Sequence, residues 1–300
     1  MSKLTILDGG MGRELKRIGA PFSQPLWSAQ ALIEAPQSVQ QAHQGFIDAG
    51  AEIITANSYA CVPFHLGQAL YAEQGFALAQ LAAKLARDCA DKATQSVIVA
   101  GCIPPALGSY RPDLFKADTA KAISQTLFDA QDAYVDMWLA ETLSSLAEFR
   151  VIENVLSATN KACCYSFSLA DSLDGEPKLR SGERVQDVVQ QVCDSGAQGV
   201  YFNCCIPEVC EQAIAIANDI ITANNVDIVI GVYANSFTPI TTGHQANDAI
   251  QGMRELTPAD YLAFAKKWYQ AGARVIGGCC GIEPSHIQSL SNWSHRIEKS

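Results

Sequence analysis

The 300-residue chain is 48% hydrophobic and 17% charged, with a formal net charge of −10. That acidity argues against a nucleic-acid partner, because phosphate backbones select basic surfaces, while a cationic substrate would not be repelled. No segment nears the ~18 apolar residues of a membrane helix, the opening MSKLTILDGG lacks a signal-peptide pattern, and eleven cysteines, an odd number, suit reduced thiols in the cytoplasm.

Eight short apolar runs punctuate the chain, at 4–10, 52–58, 96–102, 133–142, 162–169, 199–205, 227–236 and 274–280. Most are near-continuous in hydrophobicity, as expected of strands covered on both faces in a parallel sheet. Apolar residues three and four apart predict helices at 76–93, 119–133, 146–159, 185–197, 207–224 and 257–273, and a last helix follows at about 284–298. Pro207 and Pro258 mark first turns, and Gly196 and Gly272 mark ends.

Strand–helix alternation repeated eight times predicts an α/β fold, a (β/α)8 TIM barrel, with residues 1–300 forming a single domain. A doubly wound open sheet is the rival. The first strand's DGGMGREL lacks the G-x-G-x-x-G spacing of a dinucleotide site, which favours closure.

A barrel of this kind gathers the C-terminal ends of its strands around one mouth. Those ends are rich in chemistry here: Asp8-Gly9-Gly10, Asn57-Ser58-Tyr59, Glu141-Thr142, Asn203-Cys204-Cys205, Tyr233-Ala234-Asn235 and Cys279-Cys280. Cys204 or Cys205 could join Cys279 and Cys280 as three thiolate ligands of zinc, leaving a fourth position for a substrate thiol. Glycines flank Cys279-Cys280, and they would let consecutive side chains turn to one ion, which a regular strand forbids.

The plainer reading of a cysteine is a small core hydrophobe. Cys61, Cys89, Cys102, Cys193 and Cys210 stay under it, and so do Cys163 and Cys164 inside the fifth strand. Asp8 and Glu141 could hold an ammonium or merely face water. Trp27 and Tyr59 could enclose a cation through their ring faces or serve as packing. The five histidines (43, 65, 244, 286 and 295) lie on helix- or loop-like segments without ligand-like spacing.

In order along the chain, LDGGMGREL, TANSY, ET, NCCIP, VYANS and GGCCG resemble the homocysteine S-methyltransferase family. The resemblance implies a (β/α)8 barrel that transfers a methyl group to a zinc-bound homocysteine thiolate and uses no protein nucleophile. Cys204, Cys279 and Cys280 match that family's zinc cysteines. Asp8 and Glu141 match its ligands of the amino group, with Asn203 and the Gly9-Gly10 backbone beside the amino acid. Trp27 and Tyr59 match positions that flank the methyl donor, and Asn57 and Tyr233 complete the expected donor pocket.

The expected donor is a small sulfonium, S-methylmethionine first and S-adenosylmethionine next, with betaine and methyltetrahydrofolate behind. The expected product is methionine. The sequence departs from the family pattern in three places. ETLSS lacks the proline common after Glu-Thr, Tyr201-Phe202 stand where Gly-Ile or Gly-Val is usual and would reshape the pocket wall, and GCIPPALGSYRPD follows one branch of the family.

Overall fold

The computed structural model describes residues 3–240 and 252–298, and His244 lies outside them. All eight expected strands form: β1 (Thr5–Ile6), β2 (Ile53–Thr55), β3 (Ile98–Ile103), β4 (Met137–Leu143), β5 (Ala162–Phe167), β6 (Gly199–Asn203), β7 (Val229–Tyr233) and β8 (Val275–Ile276). They pair in parallel in the order β1-β8-β7-β6-β5-β4-β3-β2. A parallel bridge between Leu7 and Ile53 joins the two ends of this order, where Asp8 N donates to Ile53 O at 3.0 Å. The sheet closes into a (β/α)8 barrel.

Most strands are shorter than the apolar runs that announced them. The runs continue past the ladder into the loops of the mouth, where the backbone bonds to neighbouring loops instead. The run from residue 133 also starts too early, because Asp132–Tyr134 is a 3-10 turn. There the Asp132 carboxylate accepts from Trp138 Nε1 at 3.1 Å.

The helices are α1 (Met11–Arg17), α2 (Ala29–Glu34), α3 (Pro36–Asp48), α4 (Pro63–Lys92), α5 (Ala117–Gln131), α6 (Leu146–Leu156), α7 (Val185–Asp194), α8 (Cys210–Asn224), α9 (Pro258–Ala271) and α10 (Pro284–Ile297). The first three answer to no predicted helix. In α3 the glutamines and histidine dilute the pattern, although Val39, Ala42, Phe46 and Ile47 form a buried face. Helix α4 begins well before the predicted start and breaks its helical geometry at Gly67, whose φ is +75°. The start at Pro258 holds because Thr257 caps α9: its hydroxyl accepts from Asp260 N at 3.2 Å, and the Asp260 carboxylate accepts back from Thr257 N.

Strand alternation divides the core in two. Val200, Phe202, Ile230 and Val232 pack outward with the helices, whereas Leu7, Leu139, Tyr201 and Tyr233 fill the barrel interior. Tyr201 lies over Gly231, where a Cβ would come within 2.5 Å of the ring. The Tyr201-Phe202 pair therefore reshapes the packing beneath and around the barrel, not the pocket wall. Among the described residues, no helix is long and apolar enough to cross a membrane.

Candidate active site

The floor of the mouth holds two carboxyl groups, Asp8 buried and Glu141 half-buried. Asp8 leaves β1 and is oriented by the end of β2: its Oδ2 accepts from Thr55 N at 2.7 Å and its Oδ1 from the Thr55 hydroxyl at 3.3 Å. Glu141, in β4, accepts from the Cys102 thiol at 2.9 Å and from the Tyr233 hydroxyl at 3.3 Å.

Burial pushes Asp8 up to about 8; the bonds from Thr55 oppose this and the charge of Glu141 adds to it. Burial likewise pushes Glu141 up to about 7, against the donors Cys102 and Tyr233 and with the neighbouring Cys204. Two carboxyls that resist ionisation alone would ionise readily around a cation. An ammonium group supplies one.

Next to them stand three sulfurs. The Sγ atoms of Cys204, Cys279 and Cys280 all lie within 4.8 Å of one another. Cys204 follows β6 in a left-handed conformation with φ of +53°. The Cys279-Cys280 turn follows β8 and is stitched in place by Gly278 N donating to Asp8 O, Cys279 N to Ala234 O and Ser236 N to Cys280 O, each at 2.9 Å.

Two glycines make this turn feasible. Gly281 has φ of +84°, and a Cβ on Gly10 would sit 2.5 Å from the Cys279 carbonyl oxygen. Contact with Cys204 and Cys280, then burial, raises the Cys279 thiol, while Cys204 and Cys279 hold Cys280 low. Three crowded thiols oppose one another's ionisation, and a soft divalent cation is what would let all three ionise. The donor set is three cysteines with room beside them, which fits a zinc site having one open position.

Cys205 takes no part. It faces the other way, 3.6 Å from the Cys210 sulfur. Cys163 and Cys164 lie within β5, as read from the sequence.

The cluster opens on a cavity of about 310 Å³, whose wall includes Asp8, Gly9, Gly10, Trp27, Asn57, Tyr59, Glu141 and Tyr233 together with the three cysteines. Phe22, Trp27 and Tyr59 form an aromatic side to it. Trp27 lies 6.4 Å from Phe22, and His65 backs both Trp27 and Tyr59 at 5.4 and 6.3 Å between ring centroids. Asn57 donates to Ser28 O at 3.2 Å, tying the end of β2 to the segment that carries Trp27.

Asn203 is the exception among the expected residues. It is fully buried behind the wall: its Oδ1 accepts from Thr142 N at 3.0 Å and Ser166 Oγ at 2.8 Å, and its Nδ2 donates to Thr142 Oγ1 at 2.9 Å. Its amide is committed to holding the Glu141-Thr142 strand end, so it does not line the cavity.

Cys102, Arg13, Tyr110 and Phe237 belong to the site without having been singled out. Cys102 reads as core because it is core, and only the adjacent strand shows its second role. Tyr110 sits in the GCIPPALGSYRPD stretch that departs from the common pattern, which was the available signal.

A model of the homocysteine S-methyltransferase family matches residues 5–294. The chain belongs to this family. The homocysteine S-methyltransferase of Escherichia coli K12 is 28% identical, over 96% of this chain and 94% of that protein. A selenocysteine methyltransferase of Astragalus bisulcatus is 26% identical, over 96% of this chain and 91% of that protein. Among solved structures, the homocysteine methyltransferase MmuM from Escherichia coli in its metallated form superposes with a TM-score of 0.78 at 27% identity, covering 97% of this chain and 96% of that one. Membership in the homocysteine S-methyltransferase family fits a site that sets two carboxyls beside clustered thiols.

Proposed function

We propose that this chain, as one barrel domain acting in the cytoplasm, moves a methyl group from a small sulfonium donor to the thiol of homocysteine, giving methionine. The observation that carries this reading is the placement of the three cysteine sulfurs, within 4.8 Å of one another, in the same cavity wall as Asp8 and Glu141. One cluster suits the sulfur of an amino acid and the carboxylates suit its ammonium.

In this reading Cys204, Cys279 and Cys280 hold zinc, which when bound lowers the pKa of a thiol in its remaining position. The chain's own residues bind and orient. Asp8 and Glu141 give up protons held at their carboxyl oxygens as the ammonium arrives, and the backbone at Gly9-Gly10 leaves room for the amino acid. Trp27 and Tyr59 present ring faces to the donor's positive charge.

The barrel aligns the homocysteine sulfur behind the methyl carbon, where a new carbon–sulfur bond forms as the old one breaks. The thiol proton goes to solvent, and the donor leaves as a neutral thioether. A sulfonium therefore needs no acid to assist its departure. S-methylmethionine is the favoured donor, since it fits a cavity of about 310 Å³ more easily than S-adenosylmethionine does.

A panel of donors offered to the zinc-loaded protein with homocysteine, followed by methionine formation, tests the reading. S-methylmethionine should be the best donor, and absence of methionine from every donor would defeat it. The Astragalus relative motivates a selenocysteine arm in the same panel. A preference for that acceptor would keep the chemistry and change the substrate. Zinc binding without any transfer would leave a zinc-storing or redox-sensing barrel.

A further inference from the structure

Against the Cys204 backbone packs the segment that follows β5. It carries Asp171 and Arg180, whose side chains are 0% and 7% exposed and meet at 3.1 Å. An ion pair withdrawn from water this far is costly unless its remaining donors and acceptors are occupied. Here they are, and the partners all belong to the loops of the barrel mouth.

Arg180 donates through Nη2 to the Cys204 carbonyl at 3.4 Å, through Nη1 to the Ile240 carbonyl at 3.4 Å and through Nε to Ser168 Oγ at 3.2 Å. Ser168 Oγ in turn donates to the same Cys204 carbonyl at 3.3 Å. Asp171 accepts from Ile206 N at 3.0 Å and from Ile240 N at 2.8 Å. The guanidinium carbon lies 4.9 Å from the ring centroid of Tyr110, which lines the cavity together with Cys204.

Cys204 needs such support. Its φ of +53° is one that a residue with a Cβ adopts only when its surroundings hold it there. The strand ladder has ended at Asn203, so the helical and sheet hydrogen bonds that fix other residues are absent at this carbonyl. The guanidinium and Ser168 replace them, and Tyr110, packed on the guanidinium, shares the cavity wall with this cysteine.

We infer that the Arg180–Asp171 pair positions Cys204, clamping the loop after β6 to the chain that follows β7 at Ile240, so that this sulfur faces Cys279 and Cys280. The inference rests on the reading of Cys204 as a metal ligand. It assigns to two residues outside the cavity a control over metal affinity, exerted through backbone geometry and Tyr110. Lysine cannot replace the arginine, because one ammonium cannot serve two carbonyls, a hydroxyl and a carboxylate in a single plane while stacking on a ring.

The test measures zinc affinity by competition with a chromophoric chelator, alongside melting of the metal-free protein. Arg180→Lys keeps the charge opposite Asp171, and Asp171→Asn combined with Arg180→Gln removes both charges, so neither variant buries a lone ion. In both, zinc should bind about 10- to 100-fold more weakly than in wild type, the usual cost of disturbing groups that orient a ligand. The metal-free proteins should melt within a few degrees of one another. Unchanged zinc affinity in either folded variant overturns the inference, and so does a loss of affinity no larger than the loss of stability explains. Wild type that binds zinc no better than Cys204→Ser would overturn the metal-site reading itself and the inference with it.

Discussion

The thiol of Cys102 donates to Glu141 Oε1 across 2.9 Å, linking the neighbouring strands β3 and β4 just beneath the mouth. Cys102 is wholly buried, so the bond has no competition from water and helps set the direction of the carboxylate for which an ammonium ligand is proposed. A thiol is a weak donor, and its loss is worth about 1 kcal/mol, or about fivefold in an equilibrium. Cys102→Val should raise the KM for homocysteine by about that factor and leave kcat nearly alone. Cys102→Ser, which keeps a donor, should stay near wild type. An unchanged KM in the valine variant would show that Glu141 holds its orientation without this bond.

Asp8 carries a conflict between stability and binding. Its carboxyl titrates at about 8 in the fold against an ordinary 3.8. Between those values the folded state retains a proton that the unfolded chain has released, so this group's contribution to stability declines as pH rises through the window. Asp8→Asn removes the decline. The metal-free variant should match wild type near pH 4 and melt above it at pH 8 and beyond. The same change should raise the homocysteine KM roughly 10- to 100-fold, the range for a lost charged hydrogen bond. Melting curves that stay parallel across the pH range would remove the assigned cause.

Cysteine by cysteine substitution separates ligands from bystanders. Cys204→Ser, Cys279→Ser and Cys280→Ser should each lose tight zinc binding, because a serine hydroxyl remains protonated where a thiol ionises. Cys205→Ser should keep it, although Cys205 is the next residue in sequence, since its sulfur faces Cys210 at 3.6 Å. Metal analysis after dialysis gives the answer, and zinc retained by any of the first three variants removes that residue from the site.

Eight apolar runs and their turn residues were enough to read the barrel, because a strand buried on both faces leaves a nearly continuous hydrophobic trace. Helix α3 escaped because its buried Val39, Ala42 and Phe46 are interrupted by glutamines that face water. In the site, Asp8, Glu141 and the GGCCG turn stood out by their position at strand ends. What a linear reading does not give is direction. Asn203 and Cys204 are consecutive, yet one amide turns back to hold Thr142 and the next sulfur turns into the mouth. Arg180 and Asp171 gave no sequence signal, since a loop arginine and a loop aspartate look solvated until the fold removes the water.

His43 offers a pH response opposite in sign to that of Asp8. It is wholly buried on α3, and neither ring nitrogen has a partner among the described residues. Burial alone lowers its pKa from 6.5 to about 4. The unfolded chain therefore takes up a proton first as pH falls, and the folded state is destabilised through the interval from about 6.5 down to about 4. At 1.36 kcal/mol per pKa unit the full effect is roughly 3 kcal/mol. Asp8 and Glu141 gain stability over the same descent, so the net curve of the wild type does not isolate the histidine. The difference between wild type and His43→Leu does, because leucine fills similar space and leaves no unpartnered nitrogen in the core. Denaturant unfolding at pH 7 and pH 4.5 should show the leucine variant gaining on wild type by about 2 to 3 kcal/mol toward acid. A difference independent of pH would mean that His43 titrates in the folded chain as it does in the unfolded one, and would remove burial as an effect on it.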